Sequence, residues 1–146
     1  MSLKKRIQSL LDSQKLAVLA TKRDGSPYNN LMAFAASSDL TCFYFVTNRS
    51  TRKFKNLSED DRASLLVDDR ENTSSDFHRA CAVTVLGRTH PLEGETLSVA
   101  KKLLLIRHPY LKNFVDAPTC QVFCFEVEVY YFVEAFGNVS EYRPEP

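Results

Sequence analysis

The stretch from 120 to 136 constrains the fold more than any other part of this chain. Its odd positions Phe123, Phe125, Val127, Val129, Tyr131, Val133 and Ala135 are all apolar. Its even positions begin apolar (Val122, Cys124), turn charged (Glu126, Glu128) and end mixed (Tyr130, Phe132, Glu134, Phe136). A period of two is the signature of a strand with one face buried. The stretch is therefore one very long strand, or two joined by a bend, with an outer face whose surroundings change midway. Barrel strands that carry bulges behave in this way.

The rest of the pattern agrees with a barrel. Spacing predicts a helix over 3–13, with Leu3, Ile7, Leu10 and Leu11 on one face and Ser2 as N-cap. Strands are expected at 16–22, 28–36 and 40–47, the first two separated by the turn Asp24-Gly25-Ser26-Pro27. A short helix is expected over 50–58, a strand over 63–68, a polar loop over 69–78 and a long strand over 79–92. A helix over 95–107 follows, stopped by Pro109, and 140–146 is expected to be a frayed tail. Regular βαβ alternation is missing, which argues against a parallel sheet. The fold class is mainly β (α+β): an antiparallel barrel of six or seven strands with about three flanking helices, in one domain over 1–146.

A formal net charge of +1 gives no global basic excess, so no nucleic-acid partner is expected. No apolar run is long enough to span a membrane. After Met1-Ser2-Leu3-Lys4-Lys5-Arg6, residues Gln8, Ser9, Asp12, Ser13 and Gln14 interrupt what would be a leader's apolar core, and a cytoplasmic location is expected. Cys42, Cys81, Cys120 and Cys124 sit in apolar, strand-like surroundings and read as buried reduced thiols. His78, His90 and His108 lack metal-ligand spacing and read as structural or surface residues.

The chemistry concentrates in Val46-Thr47-Asn48-Arg49-Ser50-Thr51-Arg52-Lys53, which leads from the third strand into the short helix. Arg49, Arg52 and Lys53 lie where a helix N-terminus carries partial positive charge. Each cation there costs a few tenths to about 1 kcal/mol. An anion removes the cost, because free N–H groups, hydroxyls and cations converge on it. A phosphate suits the arrangement; a solvated capping loop is the alternative reading.

This segment resembles the signature of the pyridoxamine 5′-phosphate oxidase-like flavoproteins. There, a strand ending Tyr-Thr-Asn is followed by two variable residues and Ser-Arg-Lys. Val46-Thr47-Asn48, Arg49-Ser50 and Thr51-Arg52-Lys53 fall in register with it, Thr51 replacing the Ser. Asn56-Leu57, Arg62-Ala63-Ser64-Leu65-Leu66-Val67, the opening Leu16-Ala17-Val18-Leu19-Ala20-Thr21 and the closing Val133-Glu134-Ala135-Phe136-Gly137 extend the similarity over about 10–138. The resemblance implies a split β-barrel that forms a homodimer with FMN at the subunit interface, acting with a small-molecule substrate or electron donor. It implies that Arg52 and Lys53 hold the phosphate, aided by the Thr51 hydroxyl and by Asn48 and Ser50 in the loop. Val46 and Thr47 would lie against the flavin, and Leu31, Met32, Ala33 and Phe34 would offer backbone groups to its ring edge.

There are departures. The oxidase carries two further cations on that strand, where this chain has Leu31 and Ala36. A family Gln falls near Ala82, and the C-terminal Arg-x-His pair that holds the vitamin substrate has no counterpart. The resemblance is thus to a shorter member rather than to the oxidase itself. A non-enzymatic flavin-binding or storage protein, a haem-binding member of the same barrel, and a dimeric interaction module without cofactor are the alternatives.

Overall fold

In the computed structural model, which describes residues 1–145, the chain opens with α1 (Leu3–Ser13). The Ser2 hydroxyl caps it by accepting from the Lys5 amide. Strands β1 (Leu16–Arg23) and β2 (Ser26–Ala33) follow, joined by Asp24 and Gly25, both at positive φ. A two-residue hairpin turn that matches strand twist demands this, and Asp-Gly supplies it. Next come β3 (Ala35–Ala36), β4 (Cys42–Asn48), α2 (Arg52–Glu59), β5 (Arg62–Asp68) and α3 (Asp76–Arg79). They are followed by β6 (Cys81–Pro91), α4 (Gly94–Arg107), a 3₁₀ turn (Pro109–Leu111), α5 (Lys112–Asp116), β7 (Cys120–Glu134) and β8 (Asn138–Tyr142).

All neighbouring strands are antiparallel, in the order β2-β1-β5-β6-β7-β4-β3, with β8 paired to β7. The two ends of this order, β2 and β3, are separated only by Phe34. One stretch of chain therefore pairs with β1 through its first part and with β4 through its second, which curls the sheet closed. No ladder joins β2 to β4 above that kink, so the barrel is split there.

Apolar side chains of β1, β4, β5, β6 and β7 fill the interior, with Ile7, Leu10 and Leu11 of α1 packed among them. A second cluster lies outside the barrel, where Ala100 and Leu104 of α4 and Val115 of α5 cover Val46, Cys120, Val122 and Cys124. This explains the pattern at 120–136, which is one strand. Phe123 and Phe125 point inward, and Val122 and Cys124 are apolar because helices cover the outer face. Glu126 and Glu128 are exposed where that cover ends. A bulge opposite Leu86 and Gly87 then inserts one residue, so that Leu86 pairs with Val129 and Gly87 with Val127. Beyond it the inward parity reverses to Tyr130 and Phe132. Gly87 is required at this point, because a Cβ there would strike the Glu126 carbonyl and come within 2.7 Å of the Phe125 ring.

Three expectations are corrected. Residues 140–142, expected in a frayed tail over 140–146, belong to β8 (Asn138–Tyr142), because β7 continues far enough to offer it an edge. Counting the two-residue β3, there are eight strands among the described residues, where six or seven were expected. Among the described residues there are five α-helices where about three were expected, α3 and α5 being single turns too short to show a helical period.

Candidate functional site

The loop between β4 and α2 is shaped by its own side chains. Asn48 Oδ1 accepts from the Ser50 amide (2.9 Å) and hydroxyl (2.7 Å). The Asn48 carbonyl accepts from the Thr51 amide (3.2 Å) and hydroxyl (2.9 Å). Thr51, in extended conformation, caps α2 by accepting from the Phe54 amide at 3.2 Å. With its proton given to Asn48, Thr51 Oγ1 accepts from Thr47 Oγ1 at 2.9 Å. The Thr51 hydroxyl is therefore committed within the turn, as a cap. Among the described residues, the amides of Arg52 and Lys53 have no hydrogen-bond partner, which leaves donors at the positive end of the helix.

Four cations surround this end, and none has a carboxylate within 4.0 Å among the described residues. Lys53 is only 9% exposed. With the Asn30 amide oriented to satisfy both its neighbours, Asn30 Oδ1 accepts from Lys53 Nζ at 3.0 Å and Nδ2 donates to the Leu19 carbonyl at 3.3 Å. Burial pulls the Lys53 ammonium below its ordinary value of 10.5. Arg52 is exposed, its guanidinium 6.0 Å from the centre of the Tyr28 ring. Arg49 is drawn the other way: it donates to the Pro118 carbonyl (2.6 Å) and to Gln121 Oε1 (3.1 Å). Lys55 is exposed one turn along. Arg23, Arg49, Ser50, Arg52, Lys55 and Glu59 are among the residues that line a depression of about 520 Å³. Behind it, Asn56 is fully buried and donates to Thr21 Oγ1 at 3.0 Å, while its Oδ1 has no partner.

The structure brings together Thr47, Asn48, Ser50, Thr51, Arg52 and Lys53. Val46 is turned away, into the outer cluster beneath α4. On β2, Leu31 is exposed and Ala33 half-buried, while Met32 and the neighbouring Phe34 are core residues. Among the described residues, the edge of β2 that faces away from β1 has no strand partner, which leaves backbone groups there unpaired. Asn30 and Tyr28 were not legible as site residues. The available signal was the pair Asn29-Asn30 inside a strand, where Asn is depleted.

The histidines have other duties. His108 caps α4 at its C-terminus, is fully buried, and bonds the Phe34 carbonyl through Nε2 at 2.8 Å. His90 lies 3.7 Å from Glu126, and His78 is exposed on α3. Among the described residues no group of three or more His, Cys, Asp or Glu side chains is placed to hold a metal ion, and no helix is long and apolar enough to cross a membrane.

Comparison with known proteins adds three kinds of finding. The family model Pyridoxamine 5′-phosphate oxidase matches residues 3–134. No curated protein matches the chain. Among solved structures, a heme binding protein from Mycobacterium smegmatis is similar with a TM-score of 0.87 and 19% identity, over 98% of this chain and 58% of that one. A protein from Clostridium acetobutylicum related to general stress protein 26, of the pyridoxinephosphate oxidase family, gives 0.73 and 18%, over 96% and 93%. A FAD-binding protein from Mesorhizobium loti gives 0.72 and 19%, over 90% and 92%. These likenesses show the split-barrel fold; the chain spans somewhat over half the length of the first of these structures.

Proposed function

The chain belongs to the pyridoxamine 5′-phosphate oxidase family, and from that premise we propose that it is an FMN-binding flavoprotein, an oxidoreductase acting on a small molecule. The observation that carries this reading is Lys53: a buried ammonium with a neutral amide as its partner, beside two unpaired helix amides and Arg52. A buried charge is retained when it has a counterion, and a flavin phosphate supplies one. The residues present fit the group. Lys53, Arg52 and the first amides of α2 hold its phosphate, Asn48 and Thr51 fix the loop, and the free edge of β2 over Leu31–Ala33 offers backbone groups to the ring. When bound, the flavin supplies hydride or electron transfer, and the protein binds and orients it.

We infer further that the protein is a homodimer with FMN at the subunit interface, as family members generally form dimers. Leu16, Leu31 and Leu86 are exposed on the outer face of β1, β2 and β6, with Val18 and Leu66 half-buried beside them. An apolar sheet face of this kind calls for a covering surface. Four free thiols agree with a cytoplasmic setting.

The haem reading lacks a comparable observation, since His108 is engaged with Phe34 and the other two imidazoles are exposed. A visible spectrum of the purified protein tests the proposal. A yellow protein that releases FMN on denaturation supports it. A Soret band, or a colourless protein that takes up no added FMN, overturns it. Stopped-flow reduction by NADH or NADPH then separates an enzyme from a carrier.

A further inference from the structure

Cys42 and Cys124 lie on the outer face of the barrel, away from α2. The ladder between β4 and β7 sets Cys42 opposite Glu126 and Tyr44 opposite Cys124. Paired residues share a face, so the two cysteines are diagonal neighbours on it. The Cys124 thiol is the chief influence on Cys42, whereas the Thr41 hydroxyl, 3.7 Å from Cys42 Sγ, gives its proton to Asp39 Oδ1 at 2.7 Å. Cys42 is brought down to about 6, chiefly by the Cys124 hydrogen bond, against the opposing effects of burial and of the Asp39 carboxylate. Cys124 is pushed up by the same bond and by burial. Cys42 is half-buried and reachable from solvent, whereas Cys124 is 4% exposed behind it.

We propose that Cys42 and Cys124 form a hydroperoxide-responsive dithiol, in which Cys42 is the attacking sulfur and Cys124 the resolving one. The Cys42 thiolate attacks the terminal oxygen of ROOH, the O–O bond breaks, and Cys42 sulfenic acid forms as alkoxide leaves and takes up a proton to give ROH. The Cys124 sulfur then attacks the Cys42 sulfur. Hydroxide leaves and takes up the Cys124 proton as water. Overall, two thiols become one disulfide while the hydroperoxide becomes an alcohol and water. Diagonal strand neighbours stand about 7–8 Å apart at Cα, and a disulfide spans at most about 6.8 Å. Closure therefore draws Cys42 toward β7 by about 1 Å. Cys42 is the first residue of β4 and is tied to the turn before it, its amide donating to Ser37 Oγ at 3.0 Å and its carbonyl accepting from the Ser37 amide at 2.9 Å, so closure must carry this turn with it. The bridged form is strained and is reduced readily by dithiothreitol.

The test is peptide mapping of the reduced full chain after hydrogen peroxide, with free thiols alkylated. The expected product is a peptide bridged between 42 and 124. Cys81, which burial pushes up, and buried Cys120 remain alkylatable and react at least about tenfold more slowly. In Cys124→Ser the sulfenic acid persists at Cys42 and is captured by dimedone; in Cys42→Ser no bridge forms. Oxidation of Cys42 without a bridge in the wild-type chain, or equal oxidation of all four cysteines, overturns the proposal. The wild-type map decides this even if a serine variant fails to fold, and it does not depend on flavin.

Discussion

Replacing Lys53 by Met separates what this side chain does for the fold from what it does for a ligand. Met keeps the bulk of the stem and removes the charge. In the ligand-free protein the ammonium is 9% exposed and rests on one neutral amide, Asn30. Its loss frees a buried charge and leaves a single carbonyl-type oxygen to find a new donor, so stability should change by less than about 1 kcal/mol. Binding should behave differently. A hydrogen bond to a charged group contributes about 1.5–3 kcal/mol, and FMN affinity should fall by about 10- to 150-fold. The pH dependence follows from the lowered ionisation of Lys53. Because the folded chain holds this proton less tightly than the unfolded chain, the unfolded state binds more protons in the window between the lowered value and 10.5. Stability of the free protein therefore rises with pH through that window, and Lys53→Met flattens the rise. The chain has no Trp, so urea unfolding is best followed by circular dichroism and binding by quenching of added flavin fluorescence. Unchanged FMN affinity in Lys53→Met, or a large loss of stability without ligand, would refute the reasoning.

Asn30→Asp places a carboxylate against Lys53; it should stabilise the free protein at neutral pH and weaken FMN binding at least about tenfold, read by the same two titrations. Gly87→Ala forces a methyl group onto the Glu126 carbonyl and the Phe125 ring, and should cost about 1–3 kcal/mol or more in urea unfolding. His108→Phe leaves the Phe34 carbonyl without its partner in the core, and should cost about 1–3 kcal/mol. An unchanged midpoint in that variant would show that this contact at the barrel kink is not needed.

Sequence patterning revealed the elements that obey one period. The helix at 3–13, the hairpin at Asp24-Gly25 and the long strand from 120 were all legible, because each follows a rule of spacing or turn chemistry. The kink at Phe34 was not, since the partner of its carbonyl is His108, 74 residues away in the chain. For the same reason Asn30 escaped notice: its role exists only once α2 packs on β1 and brings Lys53 to it. Thr51 was legible as part of the loop, but its hydroxyl was expected to be free. Only the arrangement of Thr47 and Asn48 around it shows that it is spent on the cap. The parity change after Glu126 looked like a change of environment. It is that, where α4 ends, and also a shift of register.

That inserted residue bears on how the chain avoids misassembly. A fifteen-residue strand rich in apolar residues is open to slippage, because ladders form almost as well one or two steps out of place. A slip of one would turn Phe123, Phe125, Tyr130 and Phe132 to solvent at once. A slip of two would preserve the facing of every side chain, and hydrophobicity alone would not reject it. It would, however, carry the extra residue away from Gly87, and β6 has no other glycine to receive a carbonyl at such close range. One small residue on β6 thus works as a key, and only one alignment of β7 turns the lock.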